Sequence, residues 1–343
     1  MHRLELSDSE IGAIESLLSE IAKQYHTVED TDFLHKASLY AHELPQRVRG
    51  FLNDFKLLEP SGVCVIAGYP VDDEKIGRTP EHWKVKQAVS PTLDLEFLLV
   101  LYGSLLGDVF GWSTQQDGFL VHDLMPIKGH EQEQLGSGSE QKLWWHTEDA
   151  FHLYKGDYVG LMCLRNPDEV ATTVASIDDL QISAHHARTL FEPNFTIRPD
   201  ESHLLKNKHS GLNQTNDAGE LLAAAYEQIH QMNSNPRKQA VLFGDPQSPY
   251  MCLDPYFMDL DQLDAESRQA FQALSDAIEA NLKGLVLYPG DTCFIDNFRA
   301  VHGRNPFKAR FDGNDRWLKR INVTRDLRKS RSARPSADSR ILY

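Results

Sequence analysis

The stretch of the chain richest in possible chemistry is Trp144-Trp145-His146-Thr147-Glu148-Asp149. On an extended strand, residues two apart face the same side, so His146 and Glu148 would offer an imidazole and a carboxylate to one metal ion. Two ligands do not define a site. The best third candidate is His302, far along the chain in Asp296-Asn297-Phe298-Arg299-Ala300-Val301-His302-Gly303-Arg304. Two histidines and one carboxylate on one face of an octahedron leave three positions open, the donor set of non-haem Fe(II) oxygenases. Zinc takes the same ligand types, but the chain has no H-E-x-x-H and no evident base beside these residues. The bland reading is a polar strand face and an unrelated structural histidine. His185-His186 sits in a helical stretch and reads as surface, and nothing in the spacing of His152 requires more than a place near a pocket.

An anion site beside the metal separates iron from zinc. A 2-oxoglutarate co-substrate chelates iron through its keto acid and needs a cation for its far carboxylate. Arg316 and Arg320 follow His302 by 14 and 18 residues, and even spacing on a strand turns both to one face. Arginine can clamp a carboxylate with two parallel hydrogen bonds. Without the histidines, the same pair reads as solvated charges on an outer strand.

These residues need a frame. Residues 7–24 read as a helix opened by a Ser7/Glu10 capping box, with Ile11, Ile14, Leu18 and Ile21 along one face. A second helix is expected over AHELPQRVRGFLNDF, lined by Leu44, Val48, Phe51 and Leu52. GVCVIAGYPV reads as a buried strand, and residues 95–112 as a core helix ending near Gly107. From about residue 115, short strand-like runs separated by turns dominate: GFLVHDLMPI, QKLWWHTEDAFH, DYVGLMCLRN, VATTVASI, KQAVLFG. Such spacing argues for a sandwich or barrel rather than a doubly wound sheet. Residues 201–235 are polar and read as a long loop with some helix, the kind that forms a lid. A helix follows at 261–283, then strand, Pro-Gly-Asp turn and strand. The basic, Ser-rich tail after Arg325 is expected to be partly ordered at best.

Composition sets the bounds. The chain has 343 residues, 35 Lys plus Arg against 50 Asp plus Glu, a formal charge of −15, and 41% hydrophobic residues. That is enough apolar content for a full core. Acidity disfavours nucleic acid and an anionic membrane face. No apolar run approaches a membrane span, the N-terminus lacks a signal-peptide core, and Cys64, Cys163, Cys252 and Cys293 form no CxxC. A cytoplasmic protein with reduced thiols is expected. Length alone suggests two domains. With no repeat and no composition break, one domain fits better: a helical part over about 1–110, a β core over about 111–325 with a lid at 200–235, and a tail over 326–343.

LWWHTEDAFH, DYVGLMCLRNPD, GDTCFIDNFRAVHGRNPF and DRWLKRINVTRDLRKSR together resemble the clavaminate synthase-like Fe(II)/2-oxoglutarate oxygenases, and most of all those that hydroxylate free L-arginine. AHELPQRVRGF, PVDDEKIGRTPEHW, LLGDVFGWSTQQDG, MPIKGH and FTIRPDESHL extend the likeness over roughly residues 5–340. The resemblance implies a mainly β fold with flanking helices, built on a double-stranded β-helix (jelly-roll) core. It implies Fe(II), 2-oxoglutarate and O2, with His146, Glu148 and His302 as iron ligands. Arg316, with Thr172 as hydroxyl partner, would hold the distal carboxylate of 2-oxoglutarate. Arg320 would take the substrate α-carboxylate, and Gln115 with Glu148 its α-amine. Asp200 and Asp254 would face a cationic side chain, whose burial needs anionic partners. The chain departs from the arginine enzymes where they have D-x-D: it has Asp254-Pro255-Tyr256, so Tyr256 replaces one carboxylate. The loop Gly136-Ser137-Gly138-Ser139 also differs. The likeness to the arginine enzymes implies hydroxylation of L-arginine, at C3 first and C4 second; the departure at Tyr256 keeps the same chemistry on L-citrulline or L-lysine as the alternative. A non-catalytic cupin-like binding protein is the alternative of another class. The oligomeric state is not legible.

Overall fold

The computed structural model describes residues 2–85, 87–204 and 216–343. Two β-sheets are stacked with helices outside each, so four layers succeed one another. The larger sheet has eight strands. Its order is His2–Glu5, Val63–Ala67, Thr292–Asp296, Tyr158–Arg165, Trp317–Thr324, Asp108–Trp112 and Ile341–Leu342, with His122–Leu124 also paired to Trp317–Thr324. The smaller sheet runs Lys283–Leu285, Thr172–Ser176, Ala300–Arg304 and Leu143–His146, all antiparallel.

Side-chain alternation explains the layering. In Tyr158–Arg165 every residue is buried. Tyr158, Met162 and Leu164 join the outer helical core, whereas Val159, Leu161 and Cys163 meet Val174, Leu285 and Ala300 of the smaller sheet. A strand buried on both faces reads as a continuous apolar run, as this one does. Beyond the smaller sheet, Trp145, Ala175 and Val301 pack on Leu190, Phe195, Phe271, Leu274 and Ile278 of the far helical layer.

The N-terminal helices cover the larger sheet. Asp8–Ala22 starts at the Ser7/Glu10 capping box, and Thr31–Ala41 is capped by Asp30, whose carboxylate accepts from two backbone N–H groups. Leu93–Leu106 is apolar on nearly every side because helices lie on one flank and a sheet on the other. It stops at Gly107, where a Cβ would lie 2.2 Å from the carbonyl oxygen of Thr324.

Some expectations need correction. The second expected helix starts only at Gln46, after Pro45, and Thr31–Ala41 is a separate helix before it. Leu44 is buried but lies outside the helix, because the residue before a proline is excluded from helical geometry. KQAVLFG breaks into Lys238–Gln239 and Leu242–Asp245, and the helix expected over 261–283 is Ala265–Asn281. Within the stretch read as a lid, Asn216–Ser234 is helical, while 205–215 fall outside the described residues. The tail is more ordered than expected. Arg334 is buried and donates to the carbonyls of Leu327, Ser336, Ala337 and Ser339. Ile341–Leu342 then pairs in parallel with Asp108–Trp112, and Leu342 is buried against Phe110 and Trp112. Among the described residues, no helix is long and apolar enough to cross a membrane.

Candidate active site

His146 and His302 face each other in adjacent antiparallel strands as register partners. Their rings lie 4.5 Å apart between centroids. Gly303 makes this approach possible: a Cβ there would stand 2.5 Å from the carbonyl oxygen of Leu143 on the neighbouring strand. The expected strand alternation does not deliver Glu148, because the strand ends at His146. Glu148 sits in a turn that continues into Asp149 at a left-handed φ of 50°. Asn297 staples this turn: its side-chain oxygen accepts the Glu148 N–H at 2.7 Å, and its amide donates to the carbonyls of Glu148 at 3.0 Å and Gly156 at 2.8 Å. Thr147, between the two, exchanges hydrogen bonds with the backbone of Leu253.

The result is a convergence of lone pairs. Glu148 Oε2 lies 3.3 Å from His302 Nε2 and 3.7 Å from His146 Nε2. The three ligand atoms are within 4.8 Å of one another. His146 Nδ1 is engaged by the carbonyl of Trp144 at 2.8 Å. As an Nδ1–H tautomer, the ring turns an Nε2 lone pair toward the carboxylate. Acceptors do not gather in a buried space unless a cation joins them, and this donor set suits a divalent transition metal. Burial opposes a charge on His146, but the Glu148 carboxylate and the nearby Asp254 raise its affinity for a proton, the same pull they would exert on a metal cation. Burial and the His146 charge push His302 down. Burial alone would raise the Glu148 carboxyl, yet Arg320, His146 and His302 hold it well below the usual carboxylate range.

Arg316 lies just ahead of the Trp317–Thr324 strand and is buried. It donates to Thr172 Oγ1 at 3.2 Å, while its Nε has no partner among the described residues. Burial pushes it down to about 10. Arg304, beside it, is pushed down to about 9 by burial and then by Arg316. Arg304 donates to the carbonyls of Gly138, Gln141 and Asn305. Among the described residues no carboxylate pairs with either guanidinium. Two buried cations without an anion form a site that calls for one.

Arg320 reaches the opposite flank of Glu148. It donates to Glu148 Oε1, to Gln115 Oε1 at 3.2 Å and to His122 Nδ1 at 2.8 Å. Gln115 passes the chain on, donating to Ser202 Oγ at 2.6 Å. Asp200 Oδ1 accepts from the hydroxyl and, at 2.8 Å, the backbone N–H of Ser202. Asp254 accepts from the Tyr256 N–H at 3.2 Å. Burial pushes the Asp254 carboxyl up; with the opposing charge of His146 and the like charge of Asp200 it stands at about 6. Tyr256 is half exposed at the rim.

One cavity brings together the ten residues expected to hold metal, co-substrate or substrate: His146, Glu148, His302, Arg316, Thr172, Gln115, Asp200, Asp254, Tyr256 and Arg320. His152 does not line it; its ring packs edge-on against Trp112, with centroids 4.4 Å apart. His185 is exposed on the helix Ala184–Leu190. Sequence reasoning missed His122, Asn297, Ser202 and His203. Ser202 and His203 follow Asp200 in FTIRPDESHL, and Asn297 precedes His302 in GDTCFIDNFRAVHG, so the quoted segments contained them without singling them out.

Comparison with known proteins places this geometry. Residues 56–322 match the family model described as taurine catabolism dioxygenase TauD, TfdA family. Over the full length of both chains, the sequence is 51% identical to an L-ornithine/L-arginine 3-hydroxylase of Catenulispora acidiphila. It is 45% identical, again over both full lengths, to an enduracididine beta-hydroxylase of Streptomyces hygroscopicus. The crystal structure of the non-heme iron oxygenase OrfP, in complex with Fe, succinate and (3S)-hydroxy-L-Arg, superimposes with a TM-score of 0.93 at 44% identity, covering 100% of each chain.

Proposed function

The chain belongs to the TauD/TfdA dioxygenase family, and from that premise we propose that it hydroxylates a free basic amino acid, L-arginine first and L-ornithine beside it, at C3. The balanced reaction converts amino acid, 2-oxoglutarate and O2 into hydroxy-amino acid, succinate and CO2. The two stacked sheets are read as the layers of a double-stranded β-helix, with the cavity opening between them.

One observation carries the reading. The cavity joins three candidate metal donors, a buried arginine with no anionic partner among the described residues, and two carboxylates, Asp200 and Asp254. His146, Glu148 and His302 would hold Fe(II), which when bound supplies the activation of O2 that couples 2-oxoglutarate decarboxylation to oxygen insertion into a C–H bond. Arg316 and Thr172 hold the distal carboxylate of 2-oxoglutarate. Arg320 takes the substrate α-carboxylate, and Gln115 with Glu148 its α-amine. Asp200 and Asp254 offset the desolvation of the cationic side chain, with Tyr256 at its edge. Holding the amino acid at both ends decides which carbon faces the metal, and a displacement of about 1 Å would change that choice.

The test is an aerobic assay in which L-arginine, L-ornithine, L-lysine and L-citrulline compete, with succinate measured and products resolved by mass and NMR. Arginine or ornithine gaining one oxygen at C3 supports the reading. Failure of every basic amino acid to stimulate succinate release overturns it. A preference for uncharged citrulline would reassign the pocket around Tyr256.

A further inference from the structure

The turn Asp200-Glu201-Ser202-His203 gives two groups to the cavity wall, Asp200 and Ser202, but its last residue is not part of that wall. His203 is fully buried, and both its ring nitrogens are engaged: Nδ1 meets Thr114 Oγ1 at 2.7 Å and Nε2 meets Asp149 Oδ1 at 3.0 Å. Its ring packs edge-on against Phe151 and Trp112, with centroids 5.0 and 5.6 Å away. Trp112 donates its indole N–H to the other Asp149 oxygen at 2.6 Å.

The partners of His203 are chain neighbours of the groups that meet substrate. Asp149 directly follows Glu148, and Thr114 directly precedes Gln115. Gln115 also reaches the turn itself through its 2.6 Å bond to Ser202 Oγ. One imidazole therefore ties three pieces of the cavity wall together: the turn with Asp200, the segment with Gln115, and the loop with Glu148. An apolar side chain would fill the same space, but it would leave the Asp149 carboxylate and the Thr114 hydroxyl without this partner in a dry interior.

We infer that His203 is a positioning residue for amino-acid recognition, fixing the spacing between the carboxylate that meets the substrate side chain and the amide that meets its α-amine. The inference rests on the function proposed above. Its mark is selective: the amino-acid end of the cavity depends on His203, and the Arg316/Thr172 end does not.

The experiment compares His203→Phe and His203→Gln with the unaltered enzyme, measuring KM for L-arginine, KM for 2-oxoglutarate, and succinate formed per hydroxylated product. Phenylalanine keeps a ring beside Trp112 and Phe151 but loses both hydrogen bonds. Glutamine can place an amide nitrogen near the Nε2 position and keep the bond to Asp149. His203→Phe is expected to raise the arginine KM about tenfold or more and to leave the 2-oxoglutarate KM within about twofold. It is also expected to release more succinate per product, with His203→Gln recovering most of the loss. If the phenylalanine variant does not fold, Thr114→Val removes the Nδ1 contact alone, and a raised arginine KM at unchanged 2-oxoglutarate KM is again expected. An unchanged arginine KM, or equal rises in both constants, overturns the inference. Unaltered enzyme that turns over no basic amino acid sinks the proposed function and takes this inference with it.

Discussion

At the scale of single residues, the co-substrate assignment turns on Arg316. It is buried, bonded to Thr172, and paired with no carboxylate among the described residues. Arg316→Met should raise the KM for 2-oxoglutarate roughly 10- to 100-fold, the worth of a charge-assisted hydrogen bond, while the arginine KM moves far less. Steady-state kinetics with each substrate varied in turn checks this. Asp254 makes a pH prediction. Its carboxyl is pushed up to about 6, chiefly by burial, so it is ionised above that pH and neutral below it. A cationic side chain needs the ionised form. Arginine kcat/KM should therefore hold between pH 7 and 8 and fall about tenfold per unit as pH drops below 6, and Asp254→Asn should flatten that limb. Histidine, glutamate and arginine at regular spacings carry a signal in the sequence, which is why His146, Glu148, His302 and Arg316 stood out. Asn297 and His203 carry none. Their roles come from contacts with Glu148 and Asp149 that no local pattern announces.

At the scale of elements, two strands and one turn shape the metal donor set, and each has a point of failure. Gly303→Ala would force Ala300–Arg304 away from Leu143–His146, because its Cβ meets the Leu143 carbonyl oxygen at 2.5 Å. The His146 and His302 rings would separate, and Fe(II) affinity should fall with them. Asn297→Ala should lower Fe(II) affinity about 10- to 100-fold, as loss of a group supporting a ligand does. Titration with Fe(II) under anaerobic conditions measures both, and unchanged affinity in either variant would refute the corresponding role. The apolar runs made Val63–Ala67, Tyr158–Arg165 and Leu93–Leu106 legible. Strand ends were not, because a strand stops where a distant partner stops. The same-face argument for His146 and Glu148 therefore assumed a route the backbone does not take: Glu148 comes within 3.7 Å of His146 from a turn, after the strand has ended.

At the scale of the whole molecule, Lys319 links the layers. Its ammonium is buried between Glu96 of the outer helix Leu93–Leu106, 2.9 Å away, and Asp123 of the strand His122–Leu124, 2.6 Å away. The next residue along the chain, Arg320, lines the active-site cavity. Lys319→Met would strand two buried carboxylates and should cost about 3–5 kcal/mol in a urea unfolding measurement. The net charge of −15 gave no hint of this arrangement, since it says nothing about which acids are buried. The tail was misread for a related reason: a basic, Ser-rich composition suits solvent, yet Arg334 spends its donors on tail carbonyls and Leu342 finds a hydrophobic seat. The Asn297 staple has a kinetic consequence. Its partner Glu148 lies 149 residues away along the chain, so the contact can form only after a very long loop has closed. A refolding chain should therefore acquire its grip on Fe(II) late, after local helices have formed. The appearance of metal binding in a stopped-flow experiment would then time the last steps of folding.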